Sequence, residues 1–152
     1  MSSSKNQTTM RGEWFITLYG PEGQVKEKRQ GFNVVTTVGK EFLASFLSSA
    51  AAGAATFTCK YIAIGTDATA EAVGNTALGI ESARQTGTAS YVSGQIFQVT
   101  ATFAAGTGTG AIVEYGLLSS SSAGTLIARD TEAVINKSAG DTLTVTAQLT
   151  VS

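Results

Sequence analysis

The sequence predicts a mainly β fold with one short helix, and three observations carry that reading. Asp141 to Val151 alternates strictly, with Leu143, Val145, Ala147, Leu149 and Val151 on one face and Thr142, Thr144, Thr146, Gln148 and Thr150 on the other. A period of two held that long belongs to a strand with one side buried. Gln95 to Phe103 repeats the pattern, placing Phe97, Val99, Ala101 and Phe103 on the apolar side. Finally, the apolar runs are short and separated by Gly, Ser and Thr clusters, the spacing of a sandwich.

The elements follow in order. Residues 1–12 are polar, with Lys5 and Arg11 their only charges, and read as an N-terminal arm, flexible in the free protein and ordered on a neighbour. The rest, 13–152, reads as a single β-sandwich domain. Trp14-Phe-Ile-Thr-Leu-Tyr19 is aromatic and β-branched, and the Gly20-Pro-Glu-Gly23 turn holds the only proline, so a hairpin is expected. Lys26-Glu-Lys-Arg29, the densest charge run, reads as a solvated hairpin edge guarded by charge. Thr37 is placed to cap a helix ending near Gly53, with Phe42, Leu43, Phe46, Leu47 and Ala50 as a stripe that packs on the core. Strands are expected at Tyr61–Gly65, Ala111–Leu118 and Thr125–Thr131, for a total of about eight.

Composition narrows the chemistry. The 152 residues contain no His and one Cys, so imidazole bases, His ligands, an internal disulfide and a thiolate zinc site are all excluded. Cys59 reads as a small buried hydrophobe. The N-terminus lacks the apolar run of a signal peptide, and Phe42 to Cys59 carries too many polar residues to span a membrane. Half of the chain is Ala, Thr, Gly and Ser, and only 14% is charged, with a net charge of −1. Surfaces that uncharged favour assembly, and a homo-oligomer (dimer or trimer) is expected. The basic groups gather in the first sixty residues. Together with the aromatic hairpin they supply a candidate interface: Ser2, Lys5, Arg11, Trp14, Lys26, Lys28 and Arg29. The charge balance does not suit nucleic acid.

Gly106-Thr-Gly-Thr-Gly-Ala111 fits a dinucleotide-binding pattern literally, but a strand follows it where that motif needs a helix. A hairpin loop is expected instead. Asp67, Glu71 and Glu81 lack the ligand spacing of a calcium loop and read as structural. Glu81, Arg84, Glu114 and Arg129 are isolated charges in uncharged tracts and read as structural ion pairs, because an unpaired buried charge is costly. No catalytic residue, cofactor or metal site is expected.

Several ordered blocks resemble small structural proteins of tailed-bacteriophage particles. They are Asn33-Val-Val-Thr-Thr-Val-Gly39, Tyr61-Ile-Ala-Ile-Gly-Thr66, Asn75-Thr-Ala-Leu-Gly-Ile-Glu-Ser-Ala-Arg84, Tyr115-Gly-Leu-Leu118, Gly124-Thr-Leu-Ile-Ala-Arg129 and Asn136 to Thr146. The resemblance covers 33–152 and points to capsid cement or decoration proteins; related blocks also occur in tail-fibre and tail-collar proteins. It departs from the common pattern at Val73-Gly74, where a proline is frequent, and in the aromatic hairpin at 13–19. It implies a jelly-roll-like antiparallel β-sandwich, no enzymatic activity, a place on the capsid surface after synthesis in the host cytoplasm, and the major capsid protein as partner. The alternative it implies is a tail-fibre, collar or baseplate component that binds a host surface, a carbohydrate among the candidates.

Overall fold

A computed structural model describes residues 9–53 and 58–152. The described chain runs β1 (Met10–Tyr19), β2 (Val25–Val35), α1 (Thr37–Ala51), β3 (Tyr61–Gly65), β4 (Glu81–Thr86), β5 (Thr88–Ser93), β6 (Ile96–Phe103), β7 (Gly110–Leu118), β8 (Leu126–Lys137) and β9 (Thr142–Val151). The nine strands form one antiparallel sheet in the order β4-β3-β7-β8-β2-β1-β9-β6-β5. The fold is therefore mainly β, an antiparallel sandwich whose sheet nearly closes on itself. Two strands more than the sequence showed clearly, β4 and β5, come from the polar tract 81–93, where too few apolar residues alternate to mark them.

The strand β2 is shared between the layers. Its Val25–Asn33 stretch pairs with β1, while only Val34 and Val35 pair with β8. Gly31 lies where the two neighbours part, and a Cβ there would run into the carboxylates of Glu132 and Asp130. The apolar faces meet between the layers: Trp14, Ile16 and Leu18 from β1, Val99 and Phe103 from β6, and Leu143 and Val145 from β9 pack with Ile62, Ile64, Ile112, Leu117 and Ile127. Each of these core side chains contributes about 1.5–3 kcal/mol through burial.

At one end of the sandwich the ammonium of Lys137, 2% exposed, donates to Ala104 O at 3.0 Å and Asp141 O at 2.7 Å. Asp141 in turn takes Lys26 Nζ at 2.8 Å and Ser138 N at 2.9 Å. This network ties together the ends of four strands, and its hydrogen bonds offset the cost of burying the charge.

Several expectations change. Met10–Gly12 are not arm but the start of β1, paired with Val151, Thr150 and Leu149, and Thr9 exchanges backbone hydrogen bonds with Ser152 at 2.5 and 2.9 Å. Residues 1–8 lie outside the described residues. The helix cap is Thr36 rather than Thr37, its hydroxyl accepting from Gly39 N at 3.0 Å. The expected core stripe of α1 is also corrected. Only Gly39 of the helix is buried, because its lack of a Cβ lets that first turn sit on the backbone of Ile127. Phe42 packs half-buried against the core and Leu43 is half-buried, but Leu47 is 69% exposed, and Phe42, Leu43 and Phe46 line an apolar cavity of about 390 Å³ with Cys59, Phe97 and Leu149. Finally, 104–109 is not a hairpin loop. It carries the chain from β6 in one layer to β7 in the other, with Gly106 and Gly108 at φ of 80° and 63°.

Candidate interaction surface

The outward face of β2, β1, β9, β6 and β5 is broad; its charges, Arg11, Glu13, Lys26 and Lys28, lie on β1 and β2, and the part formed by β9, β6 and β5 carries none. Register aligns it in rows: Thr17 lies opposite Lys28 and Thr144, Phe15 opposite Gln30 and Thr146, and Glu13 opposite Phe32 and Gln148. Across β9 the rows continue as Thr144–Thr102, Thr146–Thr100 and Gln148–Gln98. Cross-strand bonds hold these side chains in place. Thr100 and Thr146 hydroxyls are 2.9 Å apart, Gln148 Nε2 donates to Gln98 Oε1 at 2.7 Å, and Gln30 Nε2 donates to Glu13 Oε1 at 2.5 Å. Because neighbouring side chains already hold one another, docking on this face orders few of them, which lowers the entropy cost of binding. Phe32, 71% exposed, stands clear of its β2 part.

Placed against this face, the candidate interface divides. Arg11 and Lys28 are exposed on it. Lys26 is exposed too, but its ammonium is held by Asp141. Arg29 faces the other way, as Ile16 opposite it does, and its guanidinium lies 3.7 Å from Glu27. Trp14 is a correction: it is 0% exposed, in the core against Tyr115 with ring centroids 6.2 Å apart. Even positions of β1 face inward, so Trp14 follows Ile16 and Leu18. Ser2 and Lys5 lie outside the described residues. Phe32 was missed, although it continues the even-numbered run Lys26, Lys28 and Gln30 that faces solvent.

The isolated charges organise the loops. Arg129, 2% exposed, donates through Nη2 to Glu114 Oε2 at 2.9 Å and lies 3.5 Å from Asp67 Oδ2. Its Nη1 reaches Thr69 O at 3.0 Å and Asn75 Oδ1 at 3.3 Å. Glu114, fully enclosed, also accepts from Gly79 N at 2.9 Å and Ile80 N at 2.7 Å. Two buried charges thus pin the whole 66–80 loop. Hydrogen bonds from Thr69, then the charge of Arg129, hold the Asp67 carboxyl below its ordinary range. Nearer the surface, Arg84 pairs with Glu81 at 2.6 Å and donates to Ser120 O and Ala123 O, both at 2.8 Å. Glu71 accepts a short hydrogen bond from the Thr131 hydroxyl.

A polar seam runs where β2 and β8 diverge. Asp130 is 1% exposed, and its Oδ2 has no hydrogen-bond partner among the described residues. Burial first, then the charges of Glu132 and Glu71, pushes its carboxyl up to about 7. The Tyr115 hydroxyl, unpartnered among the described residues, has its pKa pushed up by burial first and then by the charges of Asp130 and Glu132. A carboxyl this enclosed acts on the stability of the fold, since no substrate reaches it. Cys59 is half-buried rather than wholly so, and burial of its sulfur pushes the thiol up to about 12. Among the described residues no group of three His, Cys, Asp or Glu side chains is placed to hold a metal ion, and no helix is long and apolar enough to cross a membrane.

Comparison of the chain with protein-family models, with curated proteins and with solved structures finds no match.

Proposed function

We propose that this chain is a structural protein of a bacteriophage particle that binds the outside of the capsid and stabilises the shell by bridging capsid subunits. The observation that carries the reading is the outward face of the five-strand layer: uncharged Thr and Gln rows on β9 and β6 fixed by their own hydrogen bonds, flanked by the charged positions of β1 and β2, with Phe32 projecting. Such a face suits a large protein surface, where many weak contacts repeated over many copies add through avidity. The resemblance of 33–152 to cement and decoration proteins supports the same assignment, with the major capsid protein as partner. Binding that favours the assembled shell over released subunits stabilises it by mass action.

Phe32→Glu and Thr144→Lys test this directly. Both place charge on the outward face and leave the core untouched, so the thermal midpoint stays near wild type. Occupancy on capsids lacking the protein should fall at least about tenfold, the ratio that roughly 1.4 kcal/mol of lost binding gives. Normal occupancy by both variants overturns the assignment of this face.

A further inference from the structure

The two ends of the sheet are unlike. At one end β4 carries Glu81 and Arg84, and Arg84 is anchored to the 119–124 loop, so charge and an adjoining loop guard that edge. At the other end β5 pairs with β6 alone among the described strands. All six of its residues, Thr-Ala-Ser-Tyr-Val-Ser, are exposed and none is charged. Among the described residues no backbone group outside β6 hydrogen-bonds to it. Tyr91 is 73% exposed, Val92 47%, and Val151 at the end of β9 43%. A register shift between Tyr91 and Ser93 twists the far end, so Thr88–Tyr91 is the regular stretch open to a neighbour.

We propose that β5 is the self-association edge of this protein, pairing antiparallel with β5 of a second copy across a two-fold axis. The chemistry selects that partner. Unpaired N–H and C=O groups on a strand edge are met by another extended strand. Across a two-fold axis the segment meets only residues of the same segment, and because none of them is charged no cross-strand pair repels. Pairing β5 with β4 of a neighbour would instead bring a guarded edge to an unguarded one and propagate without closing, whereas the two-fold contact closes as a dimer. The contact extends the candidate capsid-binding face across two copies, and it does not depend on that face binding a capsid. A six-residue edge falls at the small end of stable interfaces, so the dimer dissociates in the micromolar range.

Sedimentation equilibrium of the full chain, together with hydrogen exchange of 88–93, tests the pairing. The wild type should double in average mass as its concentration rises through the micromolar range, while amide exchange in 88–93 slows. Ser90→Lys with Val92→Lys should stay monomeric with an unchanged thermal midpoint and fast exchange, whereas Phe32→Glu should still dimerise. A wild type that stays monomeric, or a dimer indifferent to both lysines, overturns the proposal. So does a wild type that dimerises only after residues 2–8 are deleted, since the edge then belongs to its own N-terminal segment. Loss of capsid binding with dimerisation intact bears on the outward face alone.

Discussion

Replacing Asp130 with Asn should remove most of the dependence of stability on pH between about pH 5 and about pH 8.5. The carboxyl is 1% exposed, and its folded pKa is about 7 against an ordinary 3.8. A raised pKa means that the folded state holds the proton more tightly than the unfolded chain. The resulting stability is fully present below the unfolded value and is lost as pH rises through the folded one. From about pH 5 upward the unfolded chain is ionised, while the fold loses its proton over the next two pH units. At roughly 1.4 kcal/mol per unit, the loss is about 3 kcal/mol. For a domain of this size, that lowers the thermal midpoint by about 6–12 °C.

The sequence has no His to titrate in this window, and the Cys59 thiol lies far above it at about 12. Asp67 and Asp141 have lowered pKa values, so their contribution is complete above the ordinary carboxylate range and is lost only in acid. Urea unfolding at both pH values, on wild type and Asp130→Asn, measures the effect. The wild type should be less stable at the higher pH and the variant nearly level. A wild type equally stable at both values, or a slope that survives in the variant, refutes the reasoning.

Two further outcomes follow from the ion pairs and the thiol. Glu114→Gln leaves the buried Arg129 with Asp67 as its remaining carboxylate partner among the described residues and should cost about 3–5 kcal/mol in urea unfolding, whereas Glu81→Gln, at a more exposed pair, should cost less than about 1 kcal/mol. Cys59 should react slowly with a disulfide reagent in the native protein and rapidly in urea, because burial keeps the sulfur protonated.

What the sequence made legible is what short-range pattern governs. The alternation of Gln95–Phe103 and Asp141–Val151 placed β6 and β9 and their buried faces correctly, because a strand with one wet side must alternate. The Gly20–Gly23 turn placed the first hairpin for the same local reason. The polar strands β4 and β5 were hidden because pairing to neighbours, not burial, holds them in the sheet. Helix α1 was legible only in part: Phe42 of its apolar stripe packs on the core while Leu47 faces out, and its docking depends on Gly39 lying against Ile127, a long-range contact. Isolation in uncharged tracts singled out Glu114 and Arg129, but not Asp67 and Asn75, which the folded loop brings to them. Trp14 was placed at an interface on its residue type, although the parity it shares with Ile16 and Leu18 puts it inside. By the same parity Phe32 faces out.

The proposed role, holding a shell together, is tested most directly by particles that lack this chain. Heated alongside complete particles, they should release DNA at a lower temperature while adsorbing to host cells normally, and adding the purified protein back should restore the original temperature. Particles that keep their DNA as well as complete ones but no longer attach to cells contradict the claim and assign the chain to host-surface binding.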